Sequence, residues 1–358
     1  MRPRHLFVWL LWAVVVTVAQ PVRMERHAIV ENSRQLILGA EWDGNNLFTW
    51  GDGLAVWRVR DGHGGPLRDG VFGEAGCLLD VDRDGRTDVV LQEGRGLGRL
   101  VWLRSFQWTP HVIDTDVETP EIKPAELFGR RGILAVHHYG QVRFYEIPAD
   151  PREPWPYREI YSFYTPSRQA GLLLENVDGD GRTDIFCGNY WMRSPETFEE
   201  SWRLFTINTY NETPSSATLR QALTELAGDA APELVAAQGE MERARLAWFE
   251  KPADPKQLWV EHRLEIRPGL RFPRGLATAD LNGDGRTDIV VGENGGRSPR
   301  LLVFRNEGSG RFTPQRIAEG NRIHSLWIED MNEDGAPDVL AVGPRSVEWW
   351  ENRGYRRK

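Results

Sequence analysis

An acidic nonapeptide occurs four times in this chain. The copies are Asp80-Val-Asp82-Arg-Asp84-Gly85-Arg-Thr-Asp88, Asn176-Val-Asp178-Gly-Asp180-Gly181-Arg-Thr-Asp184, Asp280-Leu-Asn282-Gly-Asp284-Gly285-Arg-Thr-Asp288 and Asp330-Met-Asn332-Glu-Asp334-Gly335-Ala-Pro-Asp338. A motif returning at long intervals constrains the fold more than composition does, because each repeat has to be one supersecondary unit that packs on the next. Degenerate copies appear at Glu41-Trp-Asp43-Gly, Glu126-Leu-Phe128-Gly and Glu225-Leu-Ala227-Gly-Asp229-Ala-Ala-Pro-Glu233, so units begin at 41, 80, 126, 176, 225, 280 and 330. Seven units result, spaced 39 to 55 residues apart.

Each unit has the same internal order. An apolar stretch leads into the loop, and a β-branched run follows it, as in Val89-Val90-Leu91, Ile289-Val290-Val291 and Val339-Leu340-Ala341. A third stretch carries aromatics (Val101-Trp102-Leu103, Ala247-Trp248-Phe249, Glu348-Trp349-Trp350). A fourth reads Trp108-Thr-Pro-His111 or Trp259-Val-Glu-His262. Four short strands per unit with no helical period predict an all-β, seven-bladed β-propeller of four-stranded blades. The seventh unit lacks its fourth strand, and Met24-Glu-Arg-His27-Ala-Ile-Val carries the missing pattern. The N-terminal strand is therefore expected to pair into the last blade and close the ring, which leaves no long sheet edge exposed.

The loops and the repeat length resemble the FG-GAP/VCBS repeat family, the seven-bladed propellers related to the integrin α-subunit head, and the resemblance spans residues 20–358. That family includes adhesion heads, lectins and accessory domains of enzymes, so the resemblance speaks to fold more than to activity.

Oxygen side chains at positions 1, 3, 5 and 9, with a backbone carbonyl at position 7, suit calcium, which takes six to eight oxygens in irregular geometry. The expected ligands are Asp80, Asp82, Asp84, Arg86 and Asp88; Asn176, Asp178, Asp180, Arg182 and Asp184; Asp280, Asn282, Asp284, Arg286 and Asp288; and Asp330, Asn332, Asp334, Ala336 and Asp338, with Arg86, Arg182, Arg286 and Ala336 contributing carbonyls. An EF-hand is excluded because position 12 holds Leu91, Cys187, Val291 and Ala341 where that motif needs glutamate. The role expected of about four Ca2+ ions is structural, holding the turn between the first two strands of a blade. Loss of Arg2 and Arg4 would take the net charge from −8 to −10, and four divalent ions on thirteen loop aspartates would return it to about −2. The acidity thus belongs to the cation sites.

Residues 1–19 read as a secretory signal: Arg2 and Arg4, an apolar run from Leu6 to Val16, then Thr17 and Ala19. That run is shorter than the roughly 20 residues of a spanning helix. A mature chain of 20–358 outside the cytoplasm of a bacterium, with no membrane span, is expected. The basic residues are almost all arginine, and no nucleic-acid partner follows from them. Cys77 and Cys187 fall on strands of non-neighbouring repeats, so two free thiols are expected.

Function is expected on the face opposite the acidic loops, which in similar propellers is built from second-to-third strand turns and from the connections between blades. The candidate ligand residues there are Glu93, His138, Arg168, Asn189, Gln238, Arg274, Glu293 and His324, with Trp191 in a connection lengthened between Asn189 and Trp202. His27, His111 and His262 recur at one place in the repeat, so the blade itself accounts for them. The leading expectation is a binding or adhesion module for a carbohydrate or protein ligand. The alternative is a sugar-modifying enzyme, because the Trp-x-x-His strands are similar to those in the propeller part of aldos-2-ulose dehydratases and polysaccharide lyases also use calcium propellers. His324, Arg274 and Glu93 or Glu293 converging would favour the enzyme.

Overall fold

The computed structural model describes residues 21–164, 168–208, 213–228 and 231–355. The leader read over 1–19 and Asp229 of the degenerate fifth loop lie outside them. Described residues form 26 strands and one 3-10 turn, Pro214–Ala217, and no helix among them is long and apolar enough to cross a membrane.

After β1 (Met24–Val30), one six-stranded sheet runs in chain order through β2 (Ile37–Trp42), β3 (Asn46–Arg58), β4 (His63–Leu79), β5 (Asp88–Glu93), β6 (Gly98–Arg104) and β7 (Thr109–Val117). Four-stranded sheets follow. They comprise β8 (Glu121–Leu127), β9 (Arg130–His137), β10 (Gln141–Glu146) and β11 (Tyr157–Ser162); then β12 (Leu172–Glu175), β13 (Asp184–Cys187), β14 (Tyr190–Arg193) and β15 (Arg203–Thr206). Next come β16 (Leu219–Thr224), β17 (Glu233–Gln238), β18 (Leu246–Glu250) and β19 (Val260–Arg263), and then β20 (Pro273–Ala279), β21 (Asp288–Glu293), β22 (Arg300–Gly308) and β23 (Arg311–Glu319). In the last sheet β24 (Ser325–Glu329), β25 (Asp338–Gly343) and β26 (Ser346–Asn352) are joined by β1, which pairs antiparallel with β26 from Met24↔Asn352 to Val30↔Val347. The N-terminal strand thus completes the final blade.

Six sheets stand where seven units were expected, and the cause is local. β4 is 17 residues long; His63 to Val71 pair with β3, and Phe72 to Leu79 pair with β5 without a break between them. β3 is divided in the same way, with Leu47 to Gly51 opposite β2 and Asp52 to Arg58 opposite β4. The segment that should have been a connection between blades stays extended, with Phe72 fully buried, so the first two units share one sheet.

Burial explains the sequence pattern. Second strands are covered on both faces, and all six residues of β17, β21 and β25 are buried, which is why they read as continuous apolar runs rather than alternating ones. Outer strands such as β23 keep exposed positions along their length. Apolar clusters fill the spaces between neighbouring sheets: Cys77, Val90 and Trp102 meet Ile133, Ala135 and Tyr145, and Phe186 and Trp191 meet Leu234, Ala247 and Trp259. Leu340, Val342 and Trp349 of the last sheet pack on Ile37, Ala40 and Leu47 of the first, so the ring of sheets closes into a propeller. Each fully buried aliphatic or aromatic side chain contributes about 1.5–3 kcal/mol. Cys77 and Cys187 are buried free thiols in separate clusters, and burial raises the pKa of both.

Candidate functional site

Two polar regions mark opposite ends of the ring. The four intact acidic loops each join a first strand to a second: 80–88 between β4 and β5, 176–184 between β12 and β13, 280–288 between β20 and β21, and 330–338 between β24 and β25. Glycine at position 6 is left-handed in all four, with φ between +82° and +86° at Gly85, Gly181, Gly285 and Gly335. Position 4 is left-handed as well, and there Gly179 and Gly283 alternate with Arg83 and Glu333. In the first, third and fourth loops the position-1 aspartate pins the turn. Asp80, Asp280 and Asp330 each accept the amides of positions 5 and 6, for example Asp330 from Asp334 N at 3.0 Å and Gly335 N at 2.7 Å.

Position 9 does something the sequence did not announce. Asp88, Asp184, Asp288 and Asp338 are each fully buried, and each carboxylate bridges its own loop to the end of the third strand. Asp338 accepts Met331 N at 3.2 Å and Asn352 N at 2.8 Å; Asp88 accepts Val81 N at 3.0 Å and Ser105 N at 2.7 Å, and Asp184 and Asp288 repeat the pattern. Glu233 of the degenerate loop accepts Leu226 N in the same way. Burial pushes Asp184 up to about 6 and Asp288 up to about 7, against the backbone amides that favour the ionised forms.

The donor set fits a hard cation best in the first loop. Ligand oxygens of Asp80, Asp82 and Asp88 lie within 4.8 Å of one another, and Asp82 Oδ1 is buried without a hydrogen-bond partner. An unpaired buried carboxylate oxygen is costly unless something positive meets it.

At the other end, residues of β2, β4, β8, β12, β16, β20 and β24 line a central cavity of about 280 Å³. Because side chains alternate along a strand, Glu121 and Lys123 of β8 share one face. Glu41 and Lys123 stand inside the cavity, where burial pushes the Glu41 carboxyl up to about 7 and the Lys123 ammonium opposes that shift. Arg274, from the start of β20, reaches across the ring to Glu74 of β4, with Nη1 3.1 Å from Oε1. Its Nη2 meets both oxygens of Glu240 at 2.7 and 2.8 Å, and Arg220 lies 3.8 Å from the same carboxylate. Burial works against the Arg274 charge, but Glu74 and Glu240 outweigh it and hold the guanidinium ionised. Arg168 stacks 3.7 Å from the centre of the Tyr139 ring, whose phenol feels the charges of Glu74 and Glu240. The mouth is thus a cluster of three arginines and two glutamates around one tyrosine.

Several expected ligand residues are elsewhere. Trp191 is fully buried on β14 and stacks on Phe205 at 4.8 Å; of the stretch read as a lengthened connection, Tyr190–Arg193 is the third strand of its sheet, and residues 194–202 connect it to β15. Asn189 is buried, its amide bonded to the Asn208 carbonyl, and Gln238 spans Ser216 O and Arg245 N. Glu293 is buried and held by Arg300, with Nη2 at 2.7 Å, and by the amide of Arg271. Glu93 pairs with Arg99, so neither glutamate converges with His324 and Arg274. Asn189, Gln238 and Glu293 are polar because strand ends need their backbone groups satisfied, whereas Glu93 pairs with arginine side chains. His138 is exposed with φ +50°, and its neighbour His137 is buried between Thr119 Oγ1 and Tyr145 OH. His324 lines the cavity but is buried, with Nδ1 on Ser325 Oγ at 2.9 Å, and burial, reinforced by Arg274 and Arg220, pushes its pKa down to about 3. Of the expected set, Arg168, Arg274 and His324 belong to the mouth. Glu41, Glu74, Lys123, Tyr139, Arg220 and Glu240 were missed; for Glu41, Glu74, Lys123 and Arg220 the signal was charge on first strands, where an apolar strand was expected, while Tyr139 and Glu240 lie in the second-to-third strand turns after β9 and β17.

Residues 280–341 match the FG-GAP-like repeat. No curated protein sequence matches the chain. Among solved structures, one that is similar is a lectin of Agrocybe aegerita described as specifically recognising non-reducing terminal N-acetylglucosamine, at 15% identity and TM-score 0.55, covering 94% of this chain and 92% of that one. Another is YCF48 from Cyanidioschyzon merolae, at 11% identity and TM-score 0.52, covering 91% and 98%. At such identities the likeness is one of fold. Strand order, ring closure and these matches define the class: a β-propeller of four-stranded blades carrying an FG-GAP-like repeat.

Proposed function

We propose that the chain is an exported, calcium-stabilised binding module whose ligand, a carbohydrate or a carbohydrate-bearing protein surface, docks at the mouth opposite the acidic loops. The observation that carries this reading is the cluster of Arg168, Arg220, Arg274, Glu74 and Glu240 above a cavity lined by seven first strands. Forked guanidinium donors and carboxylate acceptors held by one another are preorganised for vicinal hydroxyls and acidic substituents, and a rigid polar site of this kind binds with little ordering cost. The lectin with a similar fold supports a sugar as the first ligand class to test. The shared sheet of β2 to β7 is read as two of seven repeat units, since β3 and β4 each pair through two separate halves. Calcium would be held by the loop carboxylates and would supply neutralisation of clustered charge, stiffening the turn between first and second strands.

The test is a glycan array probed in calcium and in EDTA. Binding of a defined set of glycans that Arg274→Ala abolishes is the expected result. Failure of every glycan, together with pull-downs that return no exported or surface protein, would remove the support for a binding module.

A further inference from the structure

We propose that the four intact loops are not equivalent, and that the second, 176–184, works without a metal because arginines take the cation's place. This rests on the calcium reading of the other loops. In the second loop Arg193, from the end of β14, puts Nε on Asp178 Oδ2 and Nη2 on Asp180 Oδ2 at 2.9 Å, and Arg182 also pairs with Asp180. Asp178 is spent on both sides, because its other oxygen accepts Asp180 N at 3.2 Å. Two of the loop's three aspartates therefore face two guanidiniums, and the third, Asp184, is the buried one that bonds backbone amides. In the third loop Arg286 pairs with Asp284 as well, but position 1 there is the carboxylate of Asp280, held by backbone amides, a charge the second loop does not have.

Position 1 is altered to match. Where the other loops have Asp80, Asp280 and Asp330 pinning the turn, this loop has the neutral Asn176, whose Oδ1 has no partner and carries no charge to attract an ion. The first loop differs in kind. Arg104 bonds Asp82 there at 2.7 Å but stays 3.6 Å from Asp84, and the charged Asp82 Oδ1 is left unpaired among converging ligands. In the fourth loop the residue equivalent to Arg193 is Glu351, which accepts Asn332 Nδ2 at 2.9 Å and takes Arg353 on its other oxygen at 2.8 Å, so a carboxylate stands where the second loop has a guanidinium. An ion entering the second loop would have to displace a forked guanidinium from a site whose Asp178 side chain is only 9% exposed.

The experiment counts calcium bound per chain, by elemental analysis after gel filtration in calcium, on the full mature protein with circular dichroism to confirm folding. Three ions are expected for wild type, three for Asp178→Ala and four for Arg193→Gln. Asp82→Ala should lower the count to two. Loss of an ion in Asp178→Ala, or an unchanged count in a folded Arg193→Gln, would overturn the inference while leaving calcium binding intact. Should Arg193→Gln not fold, Asp178→Ala decides the matter alone. A count of zero in wild type would instead overturn the calcium reading, and this inference with it.

Discussion

A position-9 aspartate has a structural job that the motif alone does not reveal. Acidic side chains at this spacing suit a cation, and that is the reading a sequence offers, but the burial of this residue and its two backbone partners depend on where the third strand ends, which no nine-residue window contains. Replacing Asp338 by Ala leaves the amides of Met331 and Asn352 unpaired in the interior. At about 1–3 kcal/mol for each of the two orphaned donors, a loss of about 2–6 kcal/mol is expected, and it should persist in EDTA. Asp84→Ala, which removes an exposed acceptor for Arg86 N, should cost under about 1 kcal/mol in EDTA and more in calcium. Urea unfolding in both buffers measures the difference. Position 4 offers a gain: Arg83 and Glu333 sit at φ +59° and +63° where the other loops use glycine. Arg83→Gly and Glu333→Gly should each raise stability by about 0.5–1 kcal/mol, read as a higher melting temperature.

Strands were legible where both burial and aromatic spacing repeat. The histidines at 27, 111 and 262 were assigned to the blade, and each stacks across a strand pair on a tryptophan: His27 on Trp349 at 4.6 Å, His111 on Trp102 at 4.7 Å and His262 on Trp248 at 3.8 Å. β14 was misread because only Gly188 and Asn189 separate it from β13, a turn too short to look like one, although Tyr190-Trp191 is the aromatic signal of other third strands. The joining of β4 was hidden for a different reason: unit starts at 41 and 80 put a boundary between blades inside it, and the chain stays extended there. β1 is the element on which closure depends, since Arg26 and His27 also reach Glu348 and Glu351. Deleting residues 21–31 should expose the edge of β26 and lower the melting temperature by more than 10 °C, on the order of several kcal/mol. A peptide of residues 21–31 added in trans should restore part of that loss, and an unchanged melting temperature in the deletion would refute closure by this strand.

The proposed reading puts ligand binding at one end of the ring and calcium at the other. Burial pushes His137 and His324 down to about 3 from 6.5, so the folded protein keeps them neutral while the unfolded chain takes up protons below 6.5. Their contribution is present above that value and is lost as pH falls toward 3. Glu41, raised to about 7 from 4.5, acts in the opposite direction, favouring the fold as pH falls from 7 to 4.5. The difference in unfolding free energy between wild type and His137→Gln, followed from pH 7 to pH 4, isolates one histidine, and wild type should lose more. The existence of a second polar end, opposite the acidic loops, was legible from the repeat; the residues that meet there were not, because Arg274 and Glu74 are brought together only by the ring's diameter. The most direct measurement is the affinity of an array-positive glycan, at a temperature where all variants are folded, for wild type, Arg274→Ala and Asp84→Ala. The mouth reading predicts that Arg274→Ala loses at least tenfold in affinity with little change in melting temperature, and that Asp84→Ala binds as wild type while melting lower in calcium. A folded Asp84→Ala that no longer binds, beside an Arg274→Ala that binds normally, would place the ligand at the acidic loops and contradict the account.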